Sequence, residues 1–220
     1  MHMESRFHQE QEELRLTILR MAALSERIME KALRALFERN LEMSAEVIQE
    51  DQEINNLDMQ VDRFVLKLLA LGQPMARDLR FIVGCMRIGI DLERIGDQAV
   101  NIAHRARYLT NRPPLPPSSA MRQLAETAMD MLHLALDAFI NENVEQAMEV
   151  CQMDDEADRL NVQALEDLMG FMANDTPAIQ RAMHTIIAAR CLERVADHAT
   201  NIAESLCFIA QGVNMKHQCK

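Results

Sequence analysis

The chain has 220 residues, with six Gly, six Pro, no Trp and only 4% aromatics. Good helix formers (Ala, Leu, Glu, Arg, Met, Gln) dominate, which excludes all-β and α/β folds, since both need more β-branched runs and more glycine turns. A formal net charge of −11 excludes a nucleic-acid binder, because that affinity rests on lysines and arginines neutralising phosphates.

In chain order, the N-terminal MHMESRFHQEQEELR lacks the apolar stretch of a secretory signal. The longest apolar runs, such as FIVGCM and TIIAA, are far shorter than a bilayer span. A soluble, cytoplasmic chain without direct membrane insertion is expected. The first half predicts helices over 5–40, 44–72 and 75–110. Ser44 is the expected N-cap of the second, and LGQP (71–74) supplies Gly72 as a C-cap and Pro74 for a first helical turn. NRPPLPPSS at 111–119 then stops the helix near Asn111, because proline lacks the backbone donor and disfavours helix in the residue before it. Helices over 119–141, 143–173 and 177–211 follow, with Asn143 as a cap and Thr176 and Pro177 as N-cap and first residue. The expected organisation is all-α: a three-helix bundle at 1–111, a proline-rich linker at 112–118 and a second three-helix bundle at 119–220.

The halves are copies. ALRALFERNLEMSAEVIQEDQEINNL (32–57) aligns with ALDAFINENVEQAMEVCQMDDEADRL (135–160) at an offset of 103, and Pro74 with Pro177 at the same offset. DLERIGDQAVNIA (91–103) aligns with CLERVADHATNIA (191–203) at an offset of 100.

At about 100° per residue, Ile88, Ile95, Ala99 and Ile102 form an apolar stripe in the first copy. Glu93, Asp97, Asn101 and His104 gather on the opposite side. The second copy repeats this, with Val195, Ala199, Ile202 and Leu206 inward and Glu193, Asp197, Asn201 and Glu204 outward. Carboxylates stacked at i and i+4 repel. A bound cation reverses that sign, and carboxylate and amide oxygens are what hard cations choose. Measured from the expected turns, Asp51 and Asn55 fall level with 91–95, and Asp154 and Asp158 with 192–196. Asp58 and Asp62 continue the polar strip. The plain alternative is a set of surface salt bridges, since Arg94, Arg194 and Arg190 each lie three residues before a carboxylate.

Other features carry less. The methionines suit core filling, and the five scattered cysteines, without a CxxC, read as reduced thiols. His133, His184 and His198 have no histidine partner at i+4. No phosphate loop, GxSxG or HExxH occurs, and nothing pairs a nucleophile with a base, so no enzyme is expected.

The doubled LER-(I/V)-x-D-x-A-x-N-I-A, with EDQEINNLD and MDDEADRLN on the second helices and QPMARDLR opening the third, resembles the PhoU family over nearly the whole chain. The resemblance implies paired three-helix bundles whose E/DxxxD motifs bind metal at the surface. It implies a regulator beside the phosphate ABC transporter and the phosphate-sensing histidine kinase, one that restrains uptake and represses the starvation response. Partners implied are the transporter's ATPase subunit, the kinase and a second copy in a homodimer, with the chain peripheral at the inner face of the membrane through the transporter. Carried over, the metal motifs fall on Glu93, Asp97 and Asn101 and on Glu193, Asp197 and Asn201, with Asp51, Asn55, Asp154 and Asp158 beside them. His104 and Glu204 are further candidates. The cofactor is a divalent or trivalent ion: iron, manganese, magnesium or zinc.

Two other functions compete. A ferritin-like di-iron oxidase wants Glu-x-x-His on core-facing helices, and no ExxH occurs. A purely structural dimerisation module would leave the acidic faces solvated.

Overall fold

The computed structural model describes residues 2–71 and 74–213. Within them lie six long helices: α1 (His2–Glu38), α2 (Leu41–Leu71), α3 (Ala76–Thr110), α4 (Ser119–Asn141), α5 (Val144–Asn174) and α6 (Ile179–Gln211). A short 3-10 turn, Thr176–Ala178, leads into α6, and the described residues form no strand.

Local chemistry sets the breaks. Arg39 takes a left-handed φ of 61° and ends α1. The next residue caps α2: the Asn40 side chain accepts from the Glu42 and Met43 amides at 2.9 and 3.1 Å. Ser44, the expected cap, is instead buried within the helix and donates to the Asn40 carbonyl. A capable Asn four positions earlier starts the helix first. Asn143 caps α5 as expected, accepting from Glu145 and Gln146 amides, and Ser118 caps α4. Pro74 precedes the extended Met75 that begins α3, so it stands outside the first turn, and the expected Gly72 cap lies outside the described residues. Pro177 sits in the 3-10 turn, whose N-cap position is Asp175, one residue before the expected Thr176.

α1, α2 and α3 pack as one bundle and α4, α5 and α6 as its copy, with α3 against α6 and α1 against α4 joining them. One aliphatic core runs through both, from Ile18, Ile54 and Leu92 to Leu132, Leu192 and Ile202. The α3–α6 contact needs Gly84, where a Cβ would lie 2.2 Å from Ile209 Cγ1. Arg39 donates to the Leu109, Thr110 and Arg112 carbonyls, satisfying the open end of α3 and fastening it to the end of α1.

Cys85, Cys191 and Cys207 are free, buried thiols, and burial pushes all three up in pKa. Cys151 is buried too. Cys219 lies outside the described residues. No described helix is long and apolar enough to cross a membrane.

Candidate metal-binding faces

The first acidic face lies along the groove between α2 and α3. Asp51 and Asp58 come from α2, and Glu93 and Asp97 from α3, because the i, i+3 and i+4 spacing that buries Ile54, Leu57, Ile88, Leu92 and Ile95 leaves these positions beside the seam. Asp51, Asp58 and Glu93 carry raised pKa values. Burial is the larger cause for Asp51 and the Asp97 charge the next, while the Asn55 amide, donating to Asp51 Oδ2 at 3.0 Å, opposes them. Burial leads again for Glu93, then Asp97, with Arg94 opposing and Asp58 and Asp51 adding. Asp58 is raised by burial and by Asp62, against Arg94. Arg94 reaches Glu93 and Asp97 only at 3.5 Å each. The salt bridges that would explain the carboxylates away are therefore long, and they do not offset the repulsion at Glu93.

Asp51 Oδ1 is buried with no hydrogen-bond partner. It is there because α3 carries a glycine: a Cβ at Gly96 would lie 2.8 Å from Asp51 Oδ1 and 3.1 Å from Ile54 Cδ1. Asp51 thus stands beside Gly96, just beyond the expected level with 91–95. Asn101 and His104 are exposed further along α3.

The second face, between α5 and α6, is built differently. Asp154 is 4% exposed, and its Oδ1 accepts from the Thr200 hydroxyl at 3.3 Å. That places it about one turn past the expected level with 192–196. Burial raises Glu193, followed by Asp197; Arg190 opposes, Asp158 adds and Arg194 opposes. Asp158 itself is exposed. Asn201, expected in the outward stripe, turns instead across the bundle seam and donates to Asp91 Oδ1 at 3.2 Å, which also meets His198 Nδ1 at 2.9 Å. At 40° of drift for every four residues, about 80° from Glu193 to Asn201, the stripe reaches the side of α6 that faces α3. Glu204 is half-buried, and its charge pushes up the Cys207 thiol.

Among the described residues, no group of three or more His, Cys, Asp or Glu side chains is placed so as to hold a metal ion together. The first face nonetheless fits a hard cation by its chemistry: oxygen donors alone, mutual repulsion, and one buried carboxylate oxygen lacking a donor. Asp154 is the one buried charged side chain among the described residues. That leaves no core-facing carboxylate set of the kind a ferritin-like site uses. Sequence reasoning missed Gly96, Thr200 and Asp91. All three were marked by a signal: they are positions where the two copies of the motif differ, opposite Ala196, Val100 and Cys191.

A family model described as the PhoU domain matches the chain twice, over residues 18–106 and 121–206. A relative in Pseudomonas putida, named as a phosphate-specific transport system accessory protein PhoU homolog, is 36% identical over 98% of this chain and 85% of its own length. One of the same name in Aquifex aeolicus is 38% identical over 95% of each. The crystal structure of PhoU from Pseudomonas aeruginosa superposes with a TM-score of 0.91 at 36% identity, covering 94% of this chain and 100% of that one. That of the phosphate transport system regulatory protein PhoU from Streptococcus pneumoniae gives 0.87 at 28%, covering 94% and 98%. With two matched domains, end-to-end relatives and the same paired bundles, this chain belongs to the PhoU family.

Proposed function

We propose that the chain is a metal-binding regulatory adaptor of phosphate uptake, and not an enzyme. In this role it contacts the ATPase subunit of a phosphate ABC transporter and a phosphate-sensing histidine kinase in the cytoplasm, restrains uptake, represses the starvation response and acts as a homodimer. Support for the regulatory setting comes from relatives named for the phosphate transport system. Support for metal comes chiefly from Asp51 Oδ1, buried without a donor beside Glu93, whose pKa burial and the neighbouring Asp97, Asp58 and Asp51 charges raise. Iron, manganese, magnesium or zinc suits the oxygen-rich set, with Glu93, Asp97 and Asp51 as first-face ligands and Glu193 and Asp197 as second-face ligands. Asn55, Asn101, Asp154, Asp158, Asn201, His104 and Glu204 are secondary candidates, with Asn201 and Asp154 engaged by Asp91 and Thr200.

The test has two arms. Elemental analysis of protein purified without chelators should find bound metal, reduced in Glu93→Ala/Asp97→Ala; unchanged content in that double variant defeats the ligand assignment. Pull-down with the transporter ATPase and the kinase tests the adaptor role separately. Binding to neither, at low and high phosphate alike, would end it.

A further inference from the structure

The outer face of each helix hairpin is acidic along only half its length. On α2, Asp58 and Asp62 give way toward the turn to Leu66 and Leu69, all within about 80° of one another at 100° per residue. On α3, Glu93 and Asp97 give way toward the same turn to Ile90 and Leu79, within about 60°. Leu66 is 68% and Ile90 49% exposed, in regular helix where no chain end or loop forces exposure. Val61 packs at Gly89, 3.2 Å from where its Cβ would be. That register sets Leu66 alongside the stretch of α3 between Leu79 and Ile90. The second bundle repeats the pattern, with Met169 (51% exposed) on α5 and Ile179 and Met183 on α6, turnward of Asp158, Glu193 and Asp197. Scattered exposed leucines need no explanation, but a strip that recurs on the same side of both hairpins marks a contact surface. The run from Leu79 to Asp97 covers about 27 Å of helix at 1.5 Å per residue.

We infer that this face docks an amphipathic helix of another protein. The helix lays its apolar stripe on Leu66, Leu79 and Ile90 and sets lysines or arginines at one end against Asp58, Asp62, Glu93 and Asp97. Charge complementarity selects the occupant. A second copy presenting the same face brings acidic ends rather than basic ones, and an anionic membrane is repelled. A basic-ended helix instead relieves the crowding of Glu93 by Asp97 while covering the strip, in the helix-in-groove mode. The two hairpins differ in strength, because Arg190 stands where the first copy has Ile90 and breaks the apolar strip with a cation. A cation at Glu93 and Asp97 would compete with the basic end of the helix, so docking of this kind is strongest in the metal-free chain.

The probe is an 18-residue helical peptide with a leucine stripe and four lysines at one end, titrated by fluorescence anisotropy into the full chain in chelator. Two controls carry glutamates for the lysines, or serines for the leucines. The lysine peptide should bind about tenfold or more tighter than either control. Leu66→Ser/Ile90→Ser should weaken it about tenfold with unchanged helicity and Tm, and Met169→Ser/Met183→Ser should weaken it less. Equal binding of lysine and glutamate peptides, or indifference to Leu66→Ser/Ile90→Ser, overturns the inference. Sedimentation is the remaining arm: if Leu66→Ser/Ile90→Ser converts a dimer to a monomer, a second copy covers the strip and the inference fails.

Discussion

The two acidic faces descend from one repeat yet treat the same aspartate in opposite ways. Asp51 comes up against Gly96 with one buried oxygen lacking a donor, whereas Asp154 is almost wholly buried and takes the Thr200 hydroxyl. The residues responsible differ by a few atoms. Gly96 faces Ile54 in the first copy, and the corresponding pair in the second is Ala196 and Ala157, so volume moves from one helix to the other. Val100 corresponds to Thr200 and offers no hydroxyl. A duplicated scaffold therefore keeps its ligand-bearing carboxylates and changes how far each is satisfied within the fold. The less satisfied face, the first, has more to gain from a cation.

What the copies share should show the largest effects. Leu92 and Leu192 are both fully buried at matching places, so Leu92→Ala and Leu192→Ala should each cost about 2–5 kcal/mol by denaturant unfolding, since each leaves a cavity in a continuous core. A large inequality between them would show that the two bundles are not equivalent where they look most alike. What the copies do not share comes next. Thr200→Val should cost about 1–2 kcal/mol, because a buried carboxylate loses a donor. The reciprocal Val100→Thr should cost little and should weaken metal binding at the first face only.

Smaller in stability, but sharper for the comparison, is Gly96→Ala. The new methyl group meets the movable ends of Asp51 and Ile54, and better helix propensity offsets about 1 kcal/mol of the crowding. Tm should move by no more than a few degrees, while calorimetric metal affinity at the first face falls because Asp51 is pushed aside. Unchanged affinity would remove Asp51 from the ligand set.

The smallest effect is in pH. Asp51, Asp58, Glu93 and Glu193 are raised in the folded chain, so just above the ordinary carboxylate range the folded state holds more protons than the unfolded one. Stability then falls as pH rises through that window and is regained as pH falls back through it. In chelator, mild acidification should raise Tm slightly, and saturating metal should reverse the slope because protons then compete with the ion. Replacing Glu93 by Gln should reduce the chelator slope more than replacing the exposed Asp158 by Asn.

Much of the molecule was legible in its residues. The 3.6-residue periodicity of Ile88, Ile95, Ala99 and Ile102 placed α3, the prolines at 113–117 marked the break between halves, and the repeat predicted paired bundles. The faces were legible as stripes because i and i+4 spacing is a property of one helix alone. The levels were not, since Asp51 reaches Gly96 only through the fit of two helices. Ser44 misled because Asn40, an equally good cap, comes first along the chain.

By itself the sequence determined that the chain is helical, that it is doubled, and which carboxylates line the outer side of each final helix, since local propensity and periodicity are enough for these. Only the tertiary structure decided which carboxylates of the neighbouring helices have partners. It brought Asp91 to Asn201 and His198 across the bundle seam, gave Asp154 a hydroxyl and left Asp51 Oδ1 without a donor. Such differences arise from contacts between residues far apart in the chain, where a single methyl group or hydroxyl determines whether a buried oxygen is satisfied.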